Sequence, residues 1–252
     1  MAQAGPLEHA VLVQESAAAL GRLHQDPAGV LLSCRRLLER HAASGPLWWL
    51  CASVVCAEAV GAEAWRCVEA LGDDPTARWL AAEMPSDATV ALVGWPEVTA
   101  EALYQRGDLQ ALAVNAGGEG ARLAGSGHIG VGIVEVHEAG LGPAVVASDL
   151  VVLEASAVGP RAFVAAPGSR AAAAVARAAG LPVWLVAGVG RVLPRGLWAA
   201  LCSRLVTDRP WDAPEEIVPL DMVDEIIRPD GRASLAVGVP VRADCSEAPE
   251  LS

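Results

Sequence analysis

The sequence predicts an α/β protein: an all-helical first domain over residues 1–85, a Rossmann-like, doubly wound parallel-sheet domain over 86–243, and a flexible tail over 244–252. Three observations predict it. Residues 6–84 carry marked helix starts and helical spacing of apolar residues; after Pro85, short apolar runs alternate with helix-length stretches; and 252 residues, 53% of them apolar, are enough for a sizeable core. The apolar runs are nearly continuous rather than alternating, as in strands covered on both faces, and repeated β-α units of that kind build a parallel sheet.

The first helix is read over Leu7 to His24. Asp26-Pro27 opens the second, an N-cap followed by the favoured first-turn proline. Leu31, Cys34, Leu38 and His41 recur at three, four and three residues and share one face of it. Gly45-Pro46 opens a very apolar third helix with Trp48 and Trp49, a fourth lies around Glu63 to Leu71, and Asp73-Asp74-Pro75 caps a fifth. Trp48, Trp49, Trp65 and Trp79 are expected in the core and at subunit contacts, since no basic stripe accompanies them as a base-stacking platform would require. Strands are expected at Thr89–Val93, Ala111–Val114, Gly132–Val136, Leu150–Leu153 and Pro182–Val186. The late segment Ile217 to Val241 is expected to take part in a subunit contact, and the tail from Asp244 to Ser252, polar apart from Leu251, to contribute little to folding.

The charge balance excludes some functions. Thirty acidic residues against eighteen Arg and no Lys give a net charge of −12, which repels nucleic acid and acidic membrane surfaces. The longest nearly uncharged apolar run, Leu47 to Ala57, is about half of the roughly 20 residues that cross a bilayer. Glu8, His9, Gln14 and Glu15 interrupt anything resembling a secretory leader, so a cytoplasmic location is expected. Six dispersed cysteines then read as free thiols rather than a disulfide framework, and no CxxC or His pair completes a metal set, so no metal and no cofactor are expected.

In a doubly wound sheet, ligands bind beyond the carboxyl ends of the strands. Those positions are Gly94–Glu97, Asn115–Gly120, His137–Glu138, Glu154–Ser156 and Gly188–Arg191. The glycines of Gly117-Gly118-Glu119-Gly120 fit neither GxGxxG nor a phosphate-binding GxxxxGK[ST], and Glu119 opposes a phosphate. Pro167-Gly168-Ser169 is a better anion cradle, because glycine allows close approach to the free amides of the following helix and Arg191 can add a charge. No GxSxG turn or strand-end cysteine supplies a nucleophile. His137 and Glu138 follow a strand and read either as base and orienting acid or as a solvated loop pair.

The stretch Ser148 to Pro194, SDLVVLEASAVGPRAFVAAPGSRAAAAVARAAGLPVWLVAGVGRVLP, resembles the pattern DxVxxGADxV, NKxG[ST], GxP[VF], YK[FL]. That pattern belongs to the family of the alpha, beta and delta subunits of translation initiation factor 2B, 5-methylthioribose-1-phosphate isomerase and ribose-1,5-bisphosphate isomerase. Gly120 to Ala124 is similar to its GxxLA helix and Leu220 to Ile227 to its late Pxx[LV][VI]xx[IV] region. The resemblance implies a helical domain followed by a Rossmann-like one, and a homodimer. It also implies that the isomerases' acid position is Ser156, where the pattern has Asp, and that their Cys position falls near Gly94 or Trp95. Asn115-Ala116 stands for Arg-Pro, and Ala165-Ala166 for Asn-Lys. Gly168, Ser169, Arg191 and Asn115 remain as phosphate-binding candidates. A serine hydroxyl does not replace a carboxylic acid as a proton donor near neutrality. The expectation is a diverged, non-catalytic member, a pseudoenzyme binding a small phosphorylated metabolite or a protein partner. The alternative is an active aldose-phosphate isomerase whose acid and base have moved to Glu154 and His137.

Overall fold

The structure, a computed structural model, describes residues 9–23, 25–116, 132–235 and 241–252. Helix α1 (His9–Gly21) buries Leu12, Val13, Ser16, Ala17 and Leu20 on one face. Helix α2 (Pro27–Arg40) starts as expected, with the Asp26 carboxylate accepting from the Gly29 amide. Helix α3 (Gly45–Cys56) is apolar on every side because it is the centre of the helical part, where Trp48 and Trp49 are buried. Helices α4 (Val60–Gly72) and α5 (Thr76–Glu83) follow, the latter capped by Asp74, which accepts from the amide and hydroxyl of Thr76. Trp65 and Trp79, expected in core or contact, are about half exposed, at 49% and 42%.

The sheet forms from β1 (Thr89–Val93), β2 (Gln110–Val114), β3 (Gly132–Val136), β4 (Leu150–Glu154), β7 (Val183–Val186), β9 (Glu225–Arg228) and β10 (Gly231–Ser234), in the spatial order β10-β9-β7-β4-β1-β2-β3. All neighbours are parallel except the β9–β10 hairpin at one edge. Helices α6 (Glu97–Tyr104), α7 (Leu141–Val146), α8 (Ser169–Ala179) and α9 (Arg195–Leu205) lie among the strands. A smaller antiparallel sheet, in the order β5 (Ala157–Val158), β6 (Ala162–Ala165), β8 (Glu216–Pro219), lies between the large sheet and the helical part.

All five expected strands are present within one residue of their expected ends, because each is a short, mostly apolar run; β1, β4 and β7 are buried almost throughout, whereas β3 lies exposed at the edge of the sheet. Three expectations are corrected. Helix α5 belongs to the sheet, since Ala77, Leu80, Ala81 and Met84 pack in one cluster with Val90, Leu92 and Ile227, so the sheet layer begins before residue 86. The segment from Ile217 is not a free contact surface: Val218, Ile226 and Ile227 are buried in strands of this chain's own sheets. The tail is not loose. Ala248 and Leu251 are fully buried in the helical core, Arg35 donates twice to the Glu250 carbonyl at 2.9 and 2.6 Å, and Glu247 accepts from the Gly196 amide. Composition hid this, because the docking depends on two small apolar residues and on backbone groups.

Two glycines join the helical part to the sheets. Gly45 donates its amide to the Ser156 carbonyl, and a Cβ there would lie 2.5 Å from that oxygen. Gly190 has φ +76°, and Trp49 lies where its side chain would be, so only glycine combines that backbone with that contact.

Candidate functional site

Strand order reverses between β1 and β4: from β1 the chain adds β2 and β3 on one side, then returns to place β4 on the other. The crevice at the carboxyl ends of these two strands is the expected ligand position of such a sheet. The apolar run of β4 ends there on Glu154, and α6 begins there after β1, with its first amides lacking helical partners. The Glu154 carboxylate accepts from the Thr99 amide and hydroxyl, each at 2.9 Å, and from the Val98 amide at 3.4 Å. Arg191, from the loop after β7, completes the arrangement with Nη1 2.8 Å from Glu154 Oε1; each of the two side chains is 5% exposed. The guanidinium also donates to the Ala155 carbonyl. A buried ion pair is tolerable only when further hydrogen bonds satisfy both charges, and here they do. The crevice is thus closed by a carboxylate of the chain itself, held by a helix N-terminus and an arginine, the donors that would otherwise hold an anion.

The start of α1 reaches the same place. The His9 amide donates to Glu97 Oε1 at 2.8 Å at the first residue of α6. Desolvation, with the Arg191 charge adding to it, pushes the His9 imidazole down to about 3, so it is neutral near neutrality. Glu97 lies in the strand-end set read from the sequence, and Thr99 follows it in the first turn of α6. His9 carried no sequence signal for this site, and only the docking of α1 on the strand ends brings it in.

The remaining candidates are placed as follows. Gly94, at the end of β1, is buried with φ +72° and donates to the Val114 carbonyl, while Trp95 packs edge-on against Tyr104. Asn115 directly follows β2 and donates to Glu135. His137 directly follows β3, is exposed, and accepts through Nδ1 from the Ala139 amide in a tight turn. It is three strands from Glu154, roughly 14 Å at about 4.8 Å per strand, so the two do not share a reacting atom. Ser156 donates to the Val164 carbonyl within the small sheet. Gly168 has φ +94° at the start of α8, Ser169 turns its hydroxyl to the Ala166 carbonyl, and the Arg170 amide donates to Glu216 at 2.6 Å. The expected pairing of this helix start with Arg191 is therefore divided: each has a carboxylate of the chain as its partner. The glycine-rich stretch from Gly117 and the segment Gly120 to Ala124 lie outside the described residues.

Two cavities lie elsewhere. One of about 260 Å³, lined by Arg177, Pro182, Val183 and Asp224, opens at the amino end of β7, opposite the crevice. The other, of about 360 Å³, lies between α3, α4 and residues 244–246. Among the described residues, no group of three or more His, Cys, Asp or Glu could hold a metal ion, and no helix is long and apolar enough to cross a membrane.

No protein-family model and no curated protein sequence matches the chain. Solved structures do. The translation initiation factor eIF-2B of Pyrococcus horikoshii OT3 superposes with a TM-score of 0.76 at 12% identity, covering 91% of this chain and 92% of that one. The beta subunit of the factor from Chaetomium thermophilum gives 0.64 at 15% identity, covering 90% and 80%. The tetrameric beta2-delta2 complex from the same organism gives 0.65 at 15%, covering 90% and 84%. At such identities the likeness concerns the path of the backbone, and it bears out the resemblance read from Ser148 to Pro194 at that level. The chain has the α/β fold of the initiation factor 2B subunits, a helical first part followed by a mostly parallel sheet.

Proposed function

We propose that this protein is a non-catalytic partner-binding subunit, cytoplasmic and homodimeric, built on a fold that the sequence resemblance associates with sugar-phosphate isomerases. The observation that carries the reading is the Glu154–Arg191 pair at the switch point of the sheet. A negative charge fixed there competes with a phosphate for the same donors, and removing a phosphate's partners weakens charge-assisted binding severely. Ser156 stands where the resembling isomerases have an acid, and it donates to a backbone carbonyl. With its crevice occupied by its own side chains, such a chain acts through its surface. The assemblies named for its structural neighbours, a beta2-delta2 tetramer among them, support that kind of role.

The competing reading is an aldose-phosphate isomerase using Glu154 and His137, and the strand spacing between these residues opposes it. Incubation with ribose 1,5-bisphosphate and with 5-methylthioribose 1-phosphate, followed by phosphorus NMR, distinguishes the two. No conversion and no chemical-shift perturbation of either compound is the expected outcome. Turnover lost in Glu154→Gln would overturn the proposal, and saturable binding without turnover would replace it with a phosphate-ester receptor.

A further inference from the structure

The cavity of about 360 Å³ between the helical part and the closing segment is lined by Ala52, Ser53 and Cys56 of α3, Glu63 and Arg66 of α4, and Asp244, Cys245 and Ser246. Two cysteines 189 positions apart in sequence therefore line it, one on α3 and one on the closing segment. Cys56 is exposed at the rim, and its thiol donates to the Glu247 carbonyl at 3.7 Å, two residues beyond Cys245. Cys245 is partly buried across the same space. Cys34, Cys51 and Cys67 are buried and do not line the cavity.

We propose that Cys56 and Cys245 are a modification site, a dithiol that closes into a reversible disulfide and fastens the closing segment to α3. The co-reactant is a low-molecular-weight disulfide such as oxidised glutathione. The exposed Cys56 thiolate attacks one of its sulfurs, the small molecule's S–S bond breaks, and one small thiolate leaves and takes up a proton. The Cys245 thiolate then attacks the Cys56 sulfur of the mixed disulfide, forming the intramolecular bond and releasing the second small thiol. Two protein thiols are oxidised, one small disulfide is reduced to two thiols, and no further oxidant enters. Burial pushes the Cys245 thiol up to about 12, with Asp244 adding to it, and raises Cys56 as well. Both thiols are therefore mostly protonated near neutrality, and closure accelerates as the pH rises.

The full chain is incubated with a glutathione redox buffer at pH 7 and pH 9, quenched with acid, and mapped by peptide mass spectrometry without reduction. The expected result is a peptide linked through Cys56 and Cys245, formed faster at pH 9, removed by dithiothreitol, and absent from Cys56→Ser and Cys245→Ser. The linked protein should melt about 5 °C or more higher than the reduced one, because closing a long loop restricts the unfolded chain. A glutathione adduct that remains on Cys56 in the wild type, a disulfide between two chains, or no modification at all would each overturn the proposal. Because Cys56→Ser changes an exposed position, its failure to link is read against its own melting curve.

Discussion

Glu154 is held by four donors, so Glu154→Gln removes the charge that neutralises Arg191 in a site where both side chains are 5% exposed. Breaking a buried pair from one side costs about 3 kcal/mol or more. For a chain of this size that lowers the thermal midpoint by roughly 6–12 °C, which differential scanning calorimetry measures. Glu154→Ala should recover part of its loss in phosphate buffer relative to chloride at equal ionic strength, because an added anion reaches the same helix N-terminus and arginine. Equal melting in the two salts would show that the crevice is not an anion position. His9 makes a pH prediction at the same site. Its folded value, about 3, lies below the ordinary 6.5, so between those values the unfolded chain binds a proton that the folded chain does not. Stability therefore rises with pH through that window and is lost as pH falls from about 6.5 toward 3. Urea titrations across that range should show the dependence, and His9→Gln should flatten it.

The closing segment is the element whose behaviour differs most from its composition. Leu251 and Ala248 are buried among residues of the helical core, and Arg35, Arg204 and the Gly196 amide bind its carbonyls and the Glu247 carboxylate. Asp244 adds a bond from the Val192 amide and an ion pair with Arg228 at 2.8 Å. Truncating a buried leucine to alanine costs about 2–5 kcal/mol. Leu251→Ala should accordingly lower the thermal midpoint by roughly 4–20 °C, and deletion of residues 245–252 should lower it further. A loss within two degrees, as for a surface segment, would mean that the segment detaches in solution.

For the molecule as a whole, the expected assembly is a pair of chains. Val134 on the edge strand β3, Val146 at the end of α7, and Val206 and Trp211 after α9 are exposed at 43%, 61%, 80% and 75%, apolar surface that a second chain would cover. Multi-angle light scattering should return twice 25.9 kDa at micromolar concentration. A single-chain mass would remove the homodimer from the proposed function and leave a different protein as the partner.

What the sequence by itself determined is whatever depends on neighbours along the chain. The Asp26-Pro27 start, the third helix at Gly45-Pro46, the five strands and the parallel order of the sheet follow from capping chemistry and from apolar runs of a few residues, all readable locally. Glu154 and Arg191 were also legible as strand-end residues, since the topology rule places polar groups there without coordinates. Only the tertiary structure decided what these two do. The sequence places Arg191 beside an anion at Gly168-Ser169, but its partner is Glu154, 37 positions earlier, and the α8 start is satisfied by Glu216, 46 positions after Arg170. The same holds for His9 against Glu97 and for the closing segment against α2 and α9. Pairing between distant charges depends on how two layers are rotated and docked, and that rotation is set by the summed packing of dozens of apolar side chains rather than by any motif.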